Sequence, residues 1–509
     1  MPNRNQNIKR AKNPRILIVT PEITYLPAGM GNMSNRLRAK AGGLADVSAS
    51  LVGALFKQGA DVHVALPHYR KLFHVDTGSL IDKELRNYVS HLSHNRVHLA
   101  EDRIFYYRDA VYSNYTDDSL AMALAFQREV INNIIPSVNP DLIHCNDWMT
   151  GLIPAAARRL GIPCLFTVHN IHTHKVTMDV IEDRGIDAAE FFRYLYFDRP
   201  PANYYESRSS NPVDMLASGI FAAHFINTVS PTFLQEMVNW QHSFVPDEVR
   251  REIIAKMQAG CASGILNSPD PDNDPAIDPE LSKHYDETNF HSVKRELKLD
   301  FQQKTGLRTD PDAPIFFWPS RLDPVQKGCQ LVTDILYRVL DKYHAEGLQV
   351  AVVANGSYQK YFRQIREMHG LYDRLTVCDF DSGLSKLGFA ASDFMMMPSL
   401  FEPCGLPQME CQKYGCLPVV RDTGGLHDTV EMLDTANSTG NGFVFETFDS
   451  NGLFWAIDRA MDFYKMPAEI KNREIARIMV DAKKRFTHEV TARQYMDTYE
   501  SMLHRPLVK

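Results

Sequence analysis

The sequence has no long apolar run and no recognisable export signal. Its N-terminal stretch, MPNRNQNIKRAKNPR, is basic and lacks the apolar core of a signal peptide. The apolar run that follows, Ile16–Val19, is far shorter than the roughly 20 residues that a membrane-spanning helix needs. We therefore expect neither secretion nor a membrane anchor, and a cytoplasmic location fits best.

Cysteine is sparse and positive charge is not in excess. The eight cysteines are scattered without any C-x-x-C pair, so we expect buried free thiols in a reducing compartment and no zinc site. The formal net charge of −7 gives no electrostatic reason to expect a nucleic-acid or membrane partner. The run PDPDNDP looks like a calcium loop, but Pro275 and Leu281 stand where such a loop needs glycine and glutamate. No metal or other cofactor is predicted.

The chain has the composition of a soluble globular protein and is too long for one ordinary core. Its 509 residues are 44% hydrophobic and 23% charged, and this length favours two or more domains. Short apolar runs of strand length alternate with helical patterns in both halves, which is typical of parallel α/β sheets. We therefore predict an α/β fold with two Rossmann-like domains.

The stretch 394–430 carries the clearest signal for a binding site. The apolar run Phe394–Met397 ends at Pro398, which places Glu402 near the carboxyl end of a predicted strand. A Cys-Gly pair and, after the next strand, a Gly-Gly pair each precede a predicted helix. Ligands of open α/β sheets bind outside the carboxyl ends of the strands, where helix starts offer backbone N–H groups. Two successive strand–loop–helix units therefore point polar groups toward one crevice.

This stretch resembles the family of bacterial glycogen synthases and plant starch synthases. FEPCGL, YG-x-x-PVV and TGGLHDTV follow one another between 401 and 430, a combination far more specific than a lone glycine pair. The resemblance extends over nearly the whole chain. It implies the GT-B arrangement, in which two Rossmann-like domains face a central cleft. It also implies a retaining glucosyltransferase that moves glucose from ADP-glucose to the non-reducing end of an α-1,4-glucan, without a metal.

The domain boundaries follow from the same pattern. We expect a disordered tail at 1–14, an N-terminal acceptor and catalytic domain at 15–266 and a C-terminal nucleotide-sugar-binding domain at 267–485. A proline-stiffened linker follows the first domain. The last segment, 486–509, resembles the family's closing helix, which packs back on the first domain.

A second glycine loop precedes the first predicted helix. In KAGGLADV, Gly42 and Gly43 let the backbone approach a ligand, and Lys40 adds a point charge. From spacing alone, an ordinary glycine turn with a solvated lysine is an equally good reading. The segment resembles the family's lysine–glycine motif, which implies a diphosphate site. An insert at 27–39, which the family usually lacks, could reshape the acceptor entrance or act as a lid.

Two predicted strands of the first half end at polar side chains. Asp147 could face a ligand or cap the next helix, and His169 could orient a sugar or be an ordinary structural histidine. The strings NDW and TVHN resemble family motifs that hold the sugar, although Asn146 replaces the usual histidine. Alternation of His169, His172 and His174 along a loop is weak evidence for a metal.

The second half adds two cations on one predicted strand–helix loop. The Arg321 guanidinium can form two parallel hydrogen bonds to a leaving diphosphate, and Lys327 adds a point charge. The alternative is that both are solvated surface cations. The string resembles the family's S-R-L-x-x-Q-K-G, in which both cations neutralise the departing nucleotide, with Val325 as an extra residue. Asn267 ends GILN, which resembles the family's hinge-side loop.

The resemblance assigns each matching position a role. The candidate catalytic residues are Glu402, Arg321, Lys327, His169 and Asp147. The candidate donor-binding residues are Lys40, Gly42, Gly43, Asn267, Cys404, Gly405, Leu406, Glu410, Thr423, Gly424 and Gly425.

Some positions depart from the family and leave alternatives open. Glu402 and Glu410 form E-x7-E, a pattern of related retaining transferases in which the second glutamate contacts the nucleotide ribose. This leaves UDP-glucose or a small acceptor as a second reading, while ADP-glucose remains the first choice. Asn146, Lys386 and Leu400 replace residues common in the family, which suggests a weakly catalytic glucan-binding paralogue. The presence of Lys40, Arg321, Lys327 and Glu402 opposes that third reading, because a protein without catalysis would be free to lose them.

Overall fold

The computed structural model describes residues 13–31, 37–73, 96–112 and 116–508, which separate into two compact units. The first unit contains most residues up to Ile265 and the C-terminal segment from His488, and the second runs from Leu266 to Thr487 together with Ser230–Phe233. Most of the expected disordered tail and the centre of the 27–39 insert lie outside the described residues.

Fifteen strands are found in the described residues. They are β1 (Arg15–Val19), β2 (Asp61–Pro67), β3 (Val97–Ala100), β4 (Leu142–Asn146), β5 (Cys164–Val168), β6 (Lys175–Val176), β7 (Val213–Asp214), β8 (Phe225–Thr228), β9 (Ala262–Gly264), β10 (Ile315–Trp318), β11 (Gln349–Val353), β12 (Leu375–Cys378), β13 (Phe394–Met397), β14 (Leu417–Arg421) and β15 (Phe443–Phe445).

The α-helices of the same residues alternate with these strands. They are α1 (Gly43–Lys57), α2 (Arg103–Tyr106), α3 (Thr116–Glu129), α4 (Ile135–Val138), α5 (Ile153–Leu160), α6 (Met178–Asp183), α7 (Tyr204–Ser207), α8 (Met215–Ala222), α9 (Pro231–Val238), α10 (Asp247–Gln258), α11 (Phe290–Thr305), α12 (Cys329–Lys342), α13 (Gln359–Met368), α14 (Ser382–Ala391), α15 (Pro407–Lys413), α16 (Gly424–Thr429), α17 (Ser450–Tyr464), α18 (Ala468–Arg485) and α19 (His488–Leu503). A π-helical segment, Val130–Ile134, joins α3 to α4.

The first unit is built on a seven-stranded sheet in the order β3-β2-β1-β4-β5-β8-β9. All of its strand pairs are parallel, with Ile16 paired to Val62 on one side and to Leu142 on the other. The central strands are apolar and buried along almost their whole length, as expected when helices cover both faces of a parallel sheet.

The second unit has a six-stranded parallel sheet in the order β12-β11-β10-β13-β14-β15. Alternate side chains of β10 enter different cores: Phe316 and Trp318 pack into one, and Ile315 and Phe317 into the other. The predicted α/β class with two Rossmann-like units is confirmed.

Helix α19 closes the first unit at its C-terminal end. It packs along α1, where the Ser50 hydroxyl and His488 Nε2 are 2.6 Å apart. Further along, the Tyr499 hydroxyl lies 2.7 Å from His144 Nδ1. These buried polar contacts tie the helix to α1 and to β4.

Two elements differ from the sequence prediction. β3 was not predicted, and its four residues form only an edge strand. Helix α14 was not predicted, because its two glycines weaken the helical signal. Gly388 is nevertheless required there, since a Cβ would lie 2.5 Å from the Phe317 ring.

Candidate functional site

Three neighbouring strands of the second unit end at the residues that the sequence singled out. β10, β13 and β14 are adjacent, and their carboxyl-terminal loops lead into α12, α15 and α16. Because the strands are parallel, these loops meet at one edge of the sheet. The predicted residues on these three loops are therefore brought together, as the strand pattern indicated.

Glu402 and Lys327 form a nearly buried ion pair at this edge. Lys327 Nζ lies 2.5 Å from Glu402 Oε2, and their side chains are 13% and 7% exposed. The Ser399 hydroxyl donates a second hydrogen bond, of 3.2 Å, to the same carboxylate oxygen. Both contacts of the carboxylate, with the lysine cation and with the serine hydroxyl, are shielded from bulk water. This shielding strengthens both interactions.

The extra residue in the cation loop is absorbed without moving Lys327 away. Asp323 Oδ1 accepts the backbone N–H groups of Val325 and Gln326 at 2.9 and 3.1 Å. The Val325 side chain is 71% exposed, so the insertion bulges toward solvent. Arg321 is also exposed at the start of this loop. The two cations therefore share one loop, although only Lys327 contacts Glu402.

Backbone packing explains two of the glycines at this edge. A Cβ on Gly425 would lie 2.0 Å from the Cys404 carbonyl oxygen, and Gly425 N–H donates to the Glu402 carbonyl at 2.9 Å. Gly328, before α12, has φ +69°, and its Cβ would lie 2.0 Å from the Pro398 carbonyl oxygen. Any side chain at either position would push the loops apart.

Gln408 holds the CGL segment in place. Its Nε2 donates to the carbonyls of Cys404 and Gly405, both at 3.0 Å, and to Thr429 Oγ1 at 3.1 Å. Burial raises the pKa of the Cys404 thiol to about 12, so the thiol is protonated at neutral pH. The thiol also contacts the backbone of Asn267, which brings the GILN loop to the same place.

The remaining predicted donor residues of this unit lie along the same helix starts. Leu406 is the N-terminal flanking residue of α15, and Thr423 is that of α16. Gly424 begins α16 and is buried. The side-chain amide oxygen of Asn267 is buried and has no hydrogen-bond partner among the described residues. That orphaned acceptor fits a polar ligand at the GILN loop.

Glu410 is engaged in a small polar network rather than solvated on a helix surface. Asn273 Nδ2 donates to Glu410 Oε1 at 2.7 Å, and Lys386 Nζ lies 3.8 Å from Glu410 Oε2. Lys386 also donates to Asn273 Oδ1. Two positions that depart from the family pattern, Lys386 and Glu410, thus interact with each other.

In the first unit, Asp147 organises the end of β5. Its Oδ1 accepts the His169 backbone N–H at 2.7 Å, and its Oδ2 accepts from Asn170 Nδ2 at 3.1 Å. The residue has φ 58°, which is unusual outside glycine, and it caps no helix through its side chain. Asp147 stands at the N-cap position of the turn Trp148–Thr150, but its side chain bonds to the 169–170 loop rather than to that turn. Burial raises its pKa to about 7.

Asn146 sets the tautomer of His169. The Asn146 Nδ2 donates to the Val19 carbonyl at 3.1 Å, so its Oδ1 is an acceptor, and His169 Nε2 lies 2.9 Å from that oxygen. His169 therefore carries its proton on Nε2 and presents Nδ1 as an acceptor. Burial lowers the pKa of His169 to about 3, which keeps the ring neutral at neutral pH.

Glu22 is a buried carboxylate that the sequence analysis missed. Its Oε2 accepts the N–H groups of Ala41 and Gly42 at 2.6 and 3.0 Å, and its Oε1 accepts from the Tyr112 hydroxyl at 3.0 Å. Burial raises its pKa. The available signal was an acidic residue just after β1, the same placement that marked Glu402.

The contacts of Glu22 and Asp46 bear on the predicted diphosphate site in the first glycine loop. The amide of Gly42, expected to face a diphosphate, is bonded to Glu22, and the Lys40 ammonium lies 2.8 Å from Asp46 Oδ2. Gly43 is the first residue of α1. A diphosphate role for Lys40, Gly42 and Gly43 stays a prediction. Lys40 has further N–H donors beside the one that faces Asp46, whereas the Gly42 amide is already bonded to Glu22.

The described residues contain no group of three or more His, Cys, Asp or Glu side chains arranged to hold a metal ion. The loop histidines diverge: His174 packs against Trp148 with ring centroids 4.2 Å apart, whereas His169 contacts Asn146. No helix in the described ranges combines the length and apolarity that crossing a membrane requires.

Family models and curated relatives match this chain. A model of the starch synthase catalytic domain matches residues 15–250, and a model of glycosyl transferases group 1 matches residues 300–477. The glycogen synthase of Clostridioides difficile (strain 630) is 31% identical, with 91% of this chain and 97% of the relative covered. That of Cellvibrio japonicus (strain Ueda107) is 33% identical, with 91% and 96% covered. The chain belongs to the glycogen synthase and starch synthase family.

Membership of this family makes the chain a glucosyltransferase. A solved structure of the catalytic domain of starch synthase IV from Arabidopsis thaliana, bound to ADP and acarbose, matches it with a TM-score of 0.76 and 25% identity. The match covers 97% of this chain and all of that one. Sucrose-phosphate synthase from Thermosynechococcus elongatus shares the fold, with a TM-score of 0.57 at 17% identity. The predicted GT-B fold is thereby confirmed.

Proposed function

We propose that this glucosyltransferase moves glucose from ADP-glucose to the non-reducing end of an α-1,4-glucan, with retention of the anomeric configuration. The observation that carries this proposal is the buried Lys327–Glu402 pair at the strand ends of the second unit. It provides a carboxylate for the sugar and a cation for the leaving group at one place. In this proposal the second unit binds the nucleotide sugar.

The cations act on the leaving diphosphate. A lysine ammonium has three N–H donors, and in Lys327 one of them is engaged with Glu402. The other two are available to phosphate oxygens. The exposed Arg321 guanidinium on the same loop adds a fork that suits a diphosphate. Preorganised positive charge of this kind stabilises the negative charge that develops as the sugar–phosphate bond breaks.

In the proposed reaction, no covalent bond forms between the sugar and the enzyme. The bond between the glucose anomeric carbon and the diphosphate oxygen breaks, and its electron pair goes to the diphosphate. The acceptor 4-hydroxyl oxygen then bonds to the anomeric carbon on the same face, and its proton passes to the departing phosphate oxygen. Glu402 stabilises the positive charge that develops on the sugar, and the backbone at Cys404 and Gly405 binds sugar hydroxyls.

The first unit contributes sugar contacts in this proposal. The Nδ1 of His169 is a hydrogen-bond acceptor for a sugar hydroxyl, because Asn146 holds the proton on Nε2. Asp147 acts on this contact indirectly: by accepting the His169 backbone N–H, it fixes the loop that carries the ring. Asp147 is therefore a positioning residue for His169.

ADP-glucose is the first choice of donor, and UDP-glucose is the second candidate. The starch synthase structure that resembles this chain is bound to ADP, which supports an adenine nucleotide. The E-x7-E spacing favours the alternative, because it is the pattern of related retaining transferases. The network with Asn273 and Lys386 holds the Glu410 carboxylate ready for a ribose hydroxyl, a contact that ADP-glucose and UDP-glucose can both make.

We propose a reducing, cytoplasmic setting as well. Six of the eight cysteines are buried and all are free, which suits a compartment that keeps thiols reduced. A weakly catalytic glucan-binding role is opposed by the Lys327–Glu402 pair, which a protein that only binds glucan does not need.

The decisive experiment measures transfer of labelled glucose from ADP-glucose and, separately, from UDP-glucose onto glycogen and maltoheptaose. Release of free glucose serves as the hydrolysis control. The proposal expects incorporation from ADP-glucose, its loss in Glu402→Gln and wild-type transfer by Glu367→Gln, which changes an exposed glutamate of α13. Incorporation only from UDP-glucose would establish the second candidate, and none from either donor would contradict both.

A further inference from the structure

A cavity of about 300 Å³ lies at the amino-terminal ends of the strands in the second unit. It is lined by Asp393, which directly precedes β13, and by Leu417, the first residue of β14. Glu402 follows the other end of β13. A four-residue strand spans about 13 Å, so the cavity is separate from the proposed donor site and is connected to it through the same strands.

The wall of this cavity carries net positive charge. Four cationic side chains and two acidic ones line it, namely Lys294, Arg295, Lys298, Lys471, Asp312 and Asp393. Both acids are already used: Arg295 lies 2.5 Å from Asp312, and Lys298 lies 2.7 Å from Asp393. The other two lysines have no lining carboxylate of their own.

Neutral carbonyls are the hydrogen-bond partners of those two lysines. Lys294 Nζ donates to the backbone oxygens of Ala390, Ser392 and Tyr414 at 2.8, 3.0 and 3.0 Å, which uses all of its protons. Lys471 Nζ donates to the Tyr464 carbonyl at 2.8 Å, which leaves two N–H groups for a ligand.

The cationic side chains that line the cavity therefore outnumber the carboxylates that could neutralise them. Burial lowers the pKa of Lys294 to about 8 and also lowers the pKa of Lys471. An anion in the cavity would supply the missing counter-charge: it would bind Lys471 directly and act on Lys294 through the low-dielectric wall.

Part of the lining is apolar, which narrows the kind of anion that fits. The rings of Phe290, Phe463 and Tyr464 line the cavity beside the lysines. Pockets of this kind bind the body of a ligand through apolar contacts and orient it through a few polar groups. A lone inorganic ion would leave this aromatic surface unused.

We propose that this cavity binds a small organic anion, with a phosphate or carboxylate group at Lys471 and an apolar ring against the aromatic wall. Helices α11 and α18 and the starts of β13 and β14 meet here, so the ligand would brace the second unit from the end opposite Glu402. This binding is independent of the donor and acceptor proposed above, and its test needs no transfer activity.

Titration calorimetry on the full chain with phenyl phosphate tests the proposal, with benzoate as the carboxylate probe and phenol as the uncharged one. We expect phenyl phosphate or benzoate to bind at least tenfold more tightly than phenol. Lys471→Gln should weaken that binding at least tenfold. Lys484→Gln removes an exposed lysine on the same helix and should leave binding unchanged.

A second variant covers the case in which Lys471→Gln disturbs folding. Ala468→Glu places a carboxylate at the cavity rim in the first turn of α18, where acidic residues are well tolerated, and should also abolish binding of the anion. Equal binding of phenol, equal weakening by Lys484→Gln, or displacement of the probe by ADP would each overturn the proposal. Displacement by ADP would mean that the probe occupies a nucleotide site.

Discussion

Lys327 Nζ lies 2.5 Å from Glu402 Oε2, and the loops that carry the two residues are bonded to each other through the Leu400 N–H and the Gln326 carbonyl at 2.8 Å. The sequence analysis gave these residues opposite tasks, one for the leaving diphosphate and one for the sugar. Their contact means that each holds the other in position before the donor arrives. A change at either residue should therefore affect both tasks.

Lys327→Ala should cost stability as well as activity. The variant leaves the buried Glu402 carboxylate without its cation, and removing one partner of a buried pair typically costs about 3–5 kcal/mol. We expect a lower melting temperature and loss of transfer. Glu402→Gln should lose transfer with a much smaller effect on melting. Additive effects of the two changes in a double-mutant cycle would contradict the coupling.

Gly425→Ala should destabilise the loops at the carboxyl ends of β13 and β14 for a steric reason. Its Cβ would lie 2.0 Å from the Cys404 carbonyl oxygen, and overpacking of this kind typically costs about 1–3 kcal/mol or more. We expect lower thermal stability and a raised KM for the nucleotide sugar. In Gly53→Ala the nearest atom is 3.8 Å from the new Cβ, and alanine favours the helix more than glycine does, so that variant should melt at or above the wild-type temperature. Wild-type melting of Gly425→Ala would show that the loops are not closely packed.

The strands of the second unit and the loops at their carboxyl ends could be predicted from the local sequence pattern, whereas the contacts between these loops could not. The apolar run Phe394–Met397 forms a strand with these bounds, and Pro398 ends it as the sequence indicated. Glu402 was found because the end of a parallel strand is a known place for ligands.

The parts that sequence reasoning missed depend on tertiary contacts. Glu22 follows a strand as Glu402 does, but only folding shows that it accepts the amides of Ala41 and Gly42. The contact between Lys386 and Glu410 joins two helices, and no periodicity within either helix reports it. Helix α14 has a weak helical signal because it contains two glycines, one of which, Gly388, packs closely against Phe317 of β10.

Asp147 should make stability depend on pH in a defined direction. Burial raises its folded-state pKa to about 7 from an ordinary value of 3.8, so between these pH values the unfolded chain has released a proton that the folded chain keeps. Stability from this group therefore falls as pH rises through that window, by about 1.4 kcal/mol per pH unit at most. At a pH above about 7 both states are ionised and the cost stays constant.

The variant Asp147→Asn removes this dependence. Its melting temperature relative to the wild type should rise between about pH 4 and pH 7 and then level off. Asp183→Asn changes an exposed aspartate in α6 and should show a constant difference. A constant difference for Asp147→Asn as well would show that the carboxyl group ionises normally.

His169 should stay neutral in weakly acidic and neutral solution. Burial lowers its pKa to about 3, and Asn146 Oδ1 accepts a hydrogen bond from the Nε2–H group. In nitrogen NMR of histidine-labelled protein, with His169→Gln for assignment, we expect one signal of the Nε2–H tautomer that does not titrate above about pH 5. Asn146→Leu removes the acceptor and should mix the tautomers. A ring that protonates near its ordinary value would contradict the burial argument.

Glu410 should act on donor binding rather than on the chemical step. Its carboxylate is held by Asn273 and Lys386, so Glu410→Gln keeps the shape of the network and removes the charge. If Glu410 contacts the ribose, KM for the nucleotide sugar should rise roughly three- to tenfold while kcat changes little, which is the signature of lost uniform binding. Lys386→Met removes the neighbouring cation and should change KM in the same direction by loosening Glu410. Glu367→Gln is the matched surface control. An unchanged KM in Glu410→Gln would contradict the ribose contact and leave this glutamate only a structural partner of Lys386.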